Sequence, residues 1–467
     1  MCLSLITTRV LSTYLSTFAY GTYSQVLLIV STTASLTTFG FIDAINFYYC
    51  GTKDTQKRES YVATILTMQC CIGMLAGIAI VILAGPICKY FGNPELRRYL
   101  FLAAFSPLLQ NGISLLQVLL VSVGKARQLA VRNLIISIAQ LICAITAGMR
   151  MKSVGLILFV SIILNSIQIL FFLWSLKKSG CHMRLAFCDF RLSKGILKYS
   201  IPMAVFTLVN ALNRDIDKYI ISVMSDTETL AIYSNAARVL PFDIVLISFM
   251  TVLLPHITRQ IVERRYIDAV ETYRSYLEIS YISTALFALS VLTAAPEAMN
   301  LLYSEKYLSG LPVFCIYIIS DIFHFASITL ILTASGKTKL LMRIGLTGLV
   351  VNFVLNIIFY HFFGVVGPAI ATLLVSLGLG AFILHYSANE LHASIHDLFD
   401  CKFLMKFTVE CIGGVLILTT VRYWLRTMEM YYLGVFIITC GGYILCVGLP
   451  NLKRFMIDIK QISSLKL

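Results

Sequence analysis

Long stretches without charged residues constrain this chain more than any other feature. Asp, Glu, Lys and Arg are absent from six segments, which are 10–42, 60–88, 99–124, 153–176, 344–389 and 430–452. A helix of about 20 apolar residues crosses the roughly 30 Å hydrocarbon core of a bilayer. The whole chain is 58% hydrophobic and only 13% charged, which is far from the composition of a soluble domain. The sequence therefore predicts an all-α polytopic membrane protein.

We predict thirteen membrane helices, preceded by a short and more polar segment at 3–19. The helices are expected near 24–45, 60–85, 99–122, 131–149, 154–175, 199–225, 229–256, 275–297, 308–333, 342–360, 365–387, 404–424 and 431–450. Basic loop residues alternate between the two sides of the membrane, with 25 on one side and 7 on the other. The richer side, which includes the C-terminus, is predicted to be cytoplasmic. The net charge of +14 therefore indicates orientation in a membrane rather than binding to nucleic acid.

Two short stretches, 212 residues apart, nearly repeat each other. The first is VGKARQL at 123–129, and the second is SGKTKLL at 335–341. The offset covers six helices, an even number, so the two halves run in the same direction across the membrane. This predicts two pseudo-symmetric six-helix lobes around a central cavity. It also predicts a plan of fourteen helices in which the first is truncated.

The repeat divides the chain into three predicted parts. The N-terminal lobe, at 1–180, has an incomplete first helix and five further helices. The C-terminal lobe, at 195–391, has six helices, and residues 400–467 form two additional helices and a basic cytoplasmic tail.

The helix predicted at 199–225 carries four charges inside a membrane span, which are Arg214, Asp215, Asp217 and Lys218. Charges at such depth cost about 2.5–3.5 kcal/mol each on insertion scales, so they usually face a cavity and pair. Arg214 and Lys218 share one face of the helix. Asp217 is level with Arg238 on the next, antiparallel helix, which predicts an ion pair. Three roles stay open: a salt bridge that locks two helices, cations for an anionic substrate, and ion coupling through Asp217.

Asn and Gln side chains inside the predicted membrane helices indicate a function less specifically than the charged residues do. Asn210 lies one turn before Arg214, and Asn352 and Asn356 are one turn apart. Other amides of this kind are Gln110, Asn111, Gln117, Asn165 and Gln168. Such residues either line a hydrophilic path for sugars or bond neighbouring helices.

Three acidic residues in or near the predicted helices have milder interpretations. Asp321 and His324 lie one turn apart and form either a proton relay or a satisfied interior pair. Asp43 and Glu297 lie near predicted helix ends, where we expect them to be solvated.

Other classes of protein fit the sequence less well. His392 and His396 lack an evident third ligand, so neither a metal nor a cofactor is predicted. An integral-membrane polymerase or ligase would need a long outer loop with catalytic Arg or His, and the predicted outer loops are short. We therefore expect a protein that is not an enzyme. A drug or cation antiporter stays as an alternative, although acidic residues should dominate its first lobe.

From about Tyr20 to Leu391 the chain resembles one known family, and four stretches carry the resemblance. They are YGTYSQ…FGFIDAI at 20–45, DIDKYIIS…LAIYSNAARVL at 215–240, VLLPHITR at 252–259, and the run that begins LLYSEKYLSG at 301 and ends GVVGPAIAT at 372. Together they resemble the polysaccharide transporter family of the multidrug/oligosaccharidyl-lipid/polysaccharide exporter superfamily. Its bacterial members are the repeat-unit flippases often called Wzx.

The resemblance implies two six-helix lobes that form a V, alternating access, and often two extra C-terminal helices. It also implies export of undecaprenyl-diphosphate-linked oligosaccharides to the outer leaflet of the cytoplasmic membrane, for O-antigen, capsule or a related polymer. Glycosyltransferases and a polysaccharide polymerase would be partners, together with membrane lipids. By position, the cations that would meet the diphosphate are Arg214, Lys218 and Arg238, and more weakly Arg9. The chain departs from the family in its shortened first helix.

Overall fold

The structure is a computed structural model that describes residues 2–51, 54–123, 125–146, 152–179, 187–238, 253–254, 256–323 and 328–463. Every regular element in these ranges is a helix. Nine helical segments of the described chain are long and apolar enough to cross a membrane, or up to eleven if each of two bent pairs is one span. The predicted all-α polytopic fold is confirmed.

The chain forms two compact units, and the first comprises Met1–Ile232. Its helices are α1 (Cys2–Tyr14), α2 (Thr17–Thr37), α3 (Phe41–Gly51), α4 (Thr55–Tyr90), α5 (Leu96–Ala103), α6 (Ser106–Ser122), α7 (Ala126–Ile145), α8 (Val154–Lys178) and α9 (Ser193–Met224). Helix α10 (Thr227–Ala236) begins in this unit. The centre is α6, which packs against α2, α3, α4, α7 and α8.

The second unit comprises Tyr233–Leu467. Its helices are α11 (Tyr266–Thr293), α12 (Ala295–Leu302), α13 (Leu311–Phe323), α14 (Leu330–Ala334), α15 (Thr338–Phe363), α16 (Gly367–Glu390), α17 (Cys401–Thr427), α18 (Tyr432–Tyr443) and α19 (Leu449–Ser463). Helix α11 is the centre of this unit, because it packs against α13 and against all three C-terminal helices, α17, α18 and α19.

The short sequence repeat is also a structural repeat. The backbone N–H of Lys125 donates to Leu120 O at 3.0 Å, and that of Lys337 donates to Leu332 O at 2.8 Å. In both copies the lysine directly precedes the next helix, α7 or α15. The same hydrogen bond closes both turns, and it also ends other helices of the chain, as from Arg265 N–H to Gln260 O, so it is a general helix-ending motif.

The predicted helices differ from the observed ones mainly at their ends. The helix predicted at 24–45 is the pair α2 and α3, bent by 42° around Thr38–Gly40. The helix predicted at 275–297 begins nine residues earlier, at Tyr266. Its first turns carry charged residues, so the absence of charge marks only the part of a helix that lies in hydrocarbon. The predicted helix at 229–256 falls largely on 239–252, outside the described residues.

The packing units follow contacts rather than the sequence repeat. Helix α9, which the repeat assigns to the C-terminal lobe, packs against α2 and α3 in the first unit. A boundary of duplication and a boundary of packing need not coincide. The predicted domain limits of 1–180, 195–391 and 400–467 therefore stay a prediction.

Candidate functional site

Three charged side chains on α9 form a compact ionic cluster. Asp215 accepts a hydrogen bond from Lys218 Nζ at 2.6 Å, and its other carboxylate oxygen lies 3.6 Å from Arg214 Nε. The Asp215 side chain is 11% exposed, whereas that of Arg214 is 62% exposed. One carboxylate thus faces two cations, which leaves a net positive charge on this surface of α9.

The charges of α9 are divided between two faces. Asp217 is 1% exposed and points into the helix packing. Arg214 and Asn210, one turn apart, are both exposed. A guanidinium group held against hydrocarbon is costly, so this exposed face indicates contact with water or with a polar ligand. Asp215 is the local counter-ion of Arg214 and Lys218, and the predicted role of Asn210, Arg214 and Lys218 in binding a substrate stays a prediction.

Helix α2 fixes the position of α9 through antiparallel packing. Tyr219 OH donates to Thr32 Oγ1 at 2.6 Å and lies 3.3 Å from Leu28 O. A Cβ at Gly40 would lie 2.5 Å from Ser200 O, so the bend between α2 and α3 approaches the first half of α9 closely. Gly40 also has φ +64°, a conformation that favours glycine. These contacts set the depth and rotation of the charged face.

We expect Tyr219→Phe to weaken this packing by about 0.6 kcal/mol, the average for an interhelical hydrogen bond in a membrane. The hydroxyl group that is lost joins α9 to Thr32. Unfolding of the full chain in detergent, with Thr32→Val and the double variant, measures the coupling. Tyr431, which is 74% exposed, supplies the control Tyr431→Phe. Strictly additive effects of Tyr219→Phe and Thr32→Val would contradict a stabilising bond between them.

Asn352 and Asn356 lie in α15 of the second unit, not on the surface of α9. Asn356 Nδ2 donates to both the backbone O and the Oδ1 of Asn352 at 2.7 Å. The two residues are 3% and 0% exposed. This geometry is expected of amides that stabilise a helix interior. Their predicted role in substrate binding stays a prediction.

The remaining predicted site residues have different outcomes. Arg238 is half-buried, and its predicted ion pair with Asp217 stays a prediction. Arg9 lies on α1, which packs mainly against α7. Asp321 is buried in α13, but His324 lies outside the described residues.

Asn111, one of the predicted intramembrane amides, forms hydrogen bonds with a neighbouring helix. Asn111 of α6 donates to Ala34 O at 3.1 Å and to Thr37 Oγ1 at 2.9 Å, and it accepts from Thr38 Oγ1 at 2.9 Å. These three hydrogen bonds join α6 to the C-terminal end of α2, beside the bend that approaches α9. Of the two roles that the sequence left open for such amides, Asn111 has the second, which is to bond neighbouring helices.

Two buried ionic clusters in the second unit were not predicted. Glu278 of α11 is 1% exposed and accepts from Arg454 Nη2 at 2.7 Å and from Arg274 Nε at 3.1 Å. Glu297, which was expected to be solvated, is also 1% exposed and lies 3.3 Å from Arg422 Nε. Arg454 and Arg422 come from distant helices, so spacing along the chain carries no signal for them, whereas Arg274 lies one turn before Glu278 in α11. Asp215 was detectable, because it lies three residues before Lys218.

Comparison with known proteins adds a family and a fold. A family model described as polysaccharide biosynthesis protein matches residues 10–312. A probable lipid II flippase MurJ from Rickettsia prowazekii (strain Madrid E) is 22% identical over 354 residues, which are 71% of this chain and 67% of that protein.

Two solved structures share the helical arrangement. Lipid II flippase MurJ, in an inward closed conformation, superposes with a TM-score of 0.73 at 16% identity and covers 97% of both chains. An inward-facing multidrug resistance MATE family transporter of the MOP superfamily superposes with a TM-score of 0.71 at 15% identity. That match covers 84% of this chain and 94% of the transporter. At such identities these likenesses show the fold.

Proposed function

Because this chain belongs to the polysaccharide biosynthesis protein family, we propose that it is a flippase for lipid-linked oligosaccharides. Its substrate is an undecaprenyl-diphosphate-linked repeat unit for O-antigen, capsule or a related polysaccharide. It moves this lipid across the cytoplasmic membrane by alternating access and catalyses no chemical reaction. The family match over residues 10–312 is the observation that carries this proposal.

The chemistry of the α9 surface supports an anionic head group. A diphosphate carries about two negative charges and cannot cross hydrocarbon unaided, while its lipid tail can stay in the bilayer. The exposed Arg214 offers a planar set of donors that matches phosphate oxygens, and Lys218 adds a point charge. In this proposal Arg214, Lys218 and Arg238 meet the diphosphate and Asn210 a polar group beside it. Asn352 and Asn356, hydrogen-bonded to each other within α15, are proposed to line the path of the sugars.

The relative found by sequence, and the solved structure that covers more of this chain, are both named as flippases. The match to lipid II flippase MurJ covers 97% of this chain, against 84% for the MATE transporter. Partners are then the glycosyltransferases and polymerase that make and use the substrate. We place the protein in the cytoplasmic membrane with a cytoplasmic C-terminus, on the asymmetry of basic loop residues.

We expect Arg214→Ala to lower the flipping rate about tenfold, because one charge-assisted contact to the diphosphate contributes roughly 1.5–3 kcal/mol. The assay reconstitutes the full chain in liposomes with a fluorescent undecaprenyl-diphosphate oligosaccharide and measures the dye that becomes accessible to an external quencher. Arg214→Lys should retain part of the activity. Arg98→Ala is the matched control, since Arg98 is 64% exposed and its described contacts, an ion pair with Glu95 and stacking on Tyr99, are to residues next to it in the chain.

Flipping by Arg214→Ala at the wild-type rate, with equal incorporation into liposomes, would remove Arg214 from the site. Failure of the wild-type chain both to flip the lipid and to restore surface polymer in a flippase-null strain would reject the function itself. The complementation is run with and without an upstream extension of the first helix.

The alternative is a drug or cation antiporter, which the superposition with the MATE transporter supports. Because α9 packs in the first unit, its charged residues lie in that unit, where an antiporter would need mainly acidic residues. The exposed charged residues of α9 are basic. Efflux of ethidium from cells, driven by a proton or sodium gradient and without lipid flipping, would favour the antiporter.

A further inference from the structure

Three carboxylates of the second unit share two arginine side chains, and we call the five residues the α11–α19 ionic cluster. Arg274 and Glu278 lie on α11, Asp400 directly precedes α17, and Arg454 and Asp458 lie on α19. If all five side chains are ionised, three negative and two positive charges leave a net charge of −1. A buried charge without compensation is strongly destabilising, so the cluster needs one more positive charge.

Two of the three carboxylates are well compensated. One oxygen of Glu278 accepts from Arg454 Nη2 at 2.7 Å and Nε at 3.2 Å, and the other accepts from Arg274 Nε at 3.1 Å. Asp400 is 29% exposed and accepts from the backbone N–H of Phe403 at 3.2 Å, which caps α17. Both groups are therefore stable as carboxylates.

Asp458 is the carboxylate that the two arginines compensate least. Its side chain is 4% exposed, and Oδ2 lies 3.7 Å from Arg454 Nε, a nitrogen that already donates to Glu278. Within the part of the chain that the structure describes, Oδ2 has no hydrogen-bond partner. Phe455 and Ile459, on either side of it, pack against the apolar core of the second unit. An ionised carboxylate costs far more to bury there than the neutral acid does.

The charged groups around Asp458 come from three elements. Helix α11 contributes Arg274 and Glu278, the start of α17 contributes Asp400, and α19 itself contributes Arg454. The remaining titratable residues between α16 and α17 are exposed, which are His392, His396 and Asp397. Among the described residues, no three His, Cys, Asp or Glu side chains are arranged to hold a metal ion. A proton needs only one oxygen, and Oδ2 of Asp458 offers it.

We propose that Asp458 is a proton-binding site that holds α19 against α11 when it is protonated. The proton on Oδ2 brings the α11–α19 ionic cluster to zero net charge. When Asp458 loses this proton, the buried cluster carries an excess negative charge and the packing of the two helices weakens. Because the C-terminus is predicted to be cytoplasmic, this packing responds to cytoplasmic pH.

The proton site fixes the sign of the pH dependence. An aspartate in an unfolded chain has a pKa of about 3.9, whereas the buried acid keeps its proton to higher pH. Unfolding therefore releases one proton in this range, and the unfolding constant rises by up to about tenfold per pH unit. The stability contributed by the protonated acid is complete below the pKa of the unfolded chain and falls as the pH rises.

The test is unfolding of the full chain in SDS, followed by circular dichroism. Between about pH 5 and pH 7, the unfolding constant of the wild-type protein should rise about tenfold relative to that of Asp458→Asn, whose amide cannot ionise. At the lower pH the two proteins should be about equally stable, since the amide resembles the neutral acid. The matched control is Asp268→Asn on α11, because Asp268 is 43% exposed and bound to Arg265. It should keep the wild-type pH dependence.

Infrared difference spectroscopy of the folded protein gives a second readout. As the pH rises, the wild-type protein should lose the carbonyl band of one protonated carboxylic acid, and Asp458→Asn should lack this change. If Asp458→Asn does not fold, the wild-type spectrum alone decides, because the absence of such a band would overturn the proposal.

Two further results would contradict a proton at Asp458. The first is the same pH dependence of unfolding in the wild-type protein and in Asp458→Asn. The second is stabilisation of the wild-type protein at neutral pH by sodium or potassium chloride, compared with choline chloride at the same ionic strength, which would indicate a site for a metal cation. Flipping is not part of either readout, so failure here leaves the proposed function standing.

Discussion

Replacing Arg454 with methionine is expected to destabilise the second unit by about 3 kcal/mol, because it leaves the Glu278 carboxylate buried without its main cation. Arg454 contacts one oxygen of Glu278 through Nη2 at 2.7 Å and Nε at 3.2 Å. Arg274 reaches only the other oxygen, at 3.1 Å. Methionine keeps the length of the side chain while removing the charge. The free energy of unfolding is measured for the full chain by circular dichroism in increasing SDS.

Removing the second charge of the pair should rescue this variant. Glu278→Gln combined with Arg454→Met is expected to regain more than half of the lost stability, since a neutral amide costs far less to bury than a carboxylate. The control Arg265→Gln breaks an equally short contact, 2.6 Å to Asp268, between side chains that are 59% and 43% exposed. It should cost less than about 1 kcal/mol. Equal losses in Arg454→Met and Arg265→Gln would contradict a structural role for the buried cluster.

The second large effect is expected from Gly367→Ala, which should destabilise the hairpin of α15 and α16 by about 3 kcal/mol. A Cβ at Gly367 would lie 2.0 Å from the backbone O of Phe359, so the turn between the two helices would have to open. A backbone oxygen cannot rotate away as the end of a side chain can. The same SDS titration measures the loss.

Gly378 gives a matched control within α16. A Cβ there would meet no atom within 4 Å. Gly378→Ala should therefore leave stability unchanged or raise it by up to about 1 kcal/mol, because alanine is the better helix former. If both alanine variants were equally stable, the close approach at Gly367 would not govern the hairpin.

The two buried carboxylates explain how the C-terminal helices join the second unit. Glu278 and Glu297 are 19 residues apart, or about 28 Å at helical rise, which is close to the thickness of the hydrocarbon core. Glu278 binds Arg454 of α19, and Glu297 lies near Arg422 and Arg426 of α17. The ionic contacts therefore lie near the middle of α11 and within α12.

The sequence identified the helices, the repeated turn and the charged segment of α9. These features are local, since a span shows as absence of charge and a turn as the Gly-Lys pair of each repeat. It placed Asn111 and Asn356 in the membrane but could not choose between a wet path and a bond to a neighbour. That choice depends on which atoms lie across the helix interface. Asn111 bonds Thr37 of a neighbouring helix, whereas Asn356 bonds Asn352 within its own helix.

What the sequence determined by itself is that this chain spans a membrane many times as helices, is built from a duplication, and belongs to a family of polysaccharide biosynthesis proteins. Only the tertiary structure decided where its charges are used. Arg132, Arg274 and Arg454 counted as loop cations in the sequence, yet Arg132 is buried against Gln168 of α8 and the other two bind a buried glutamate. Hydrophobicity can be summed locally along the chain, whereas the partners of Arg132 and Arg454 lie on other helices that only folding brings within reach.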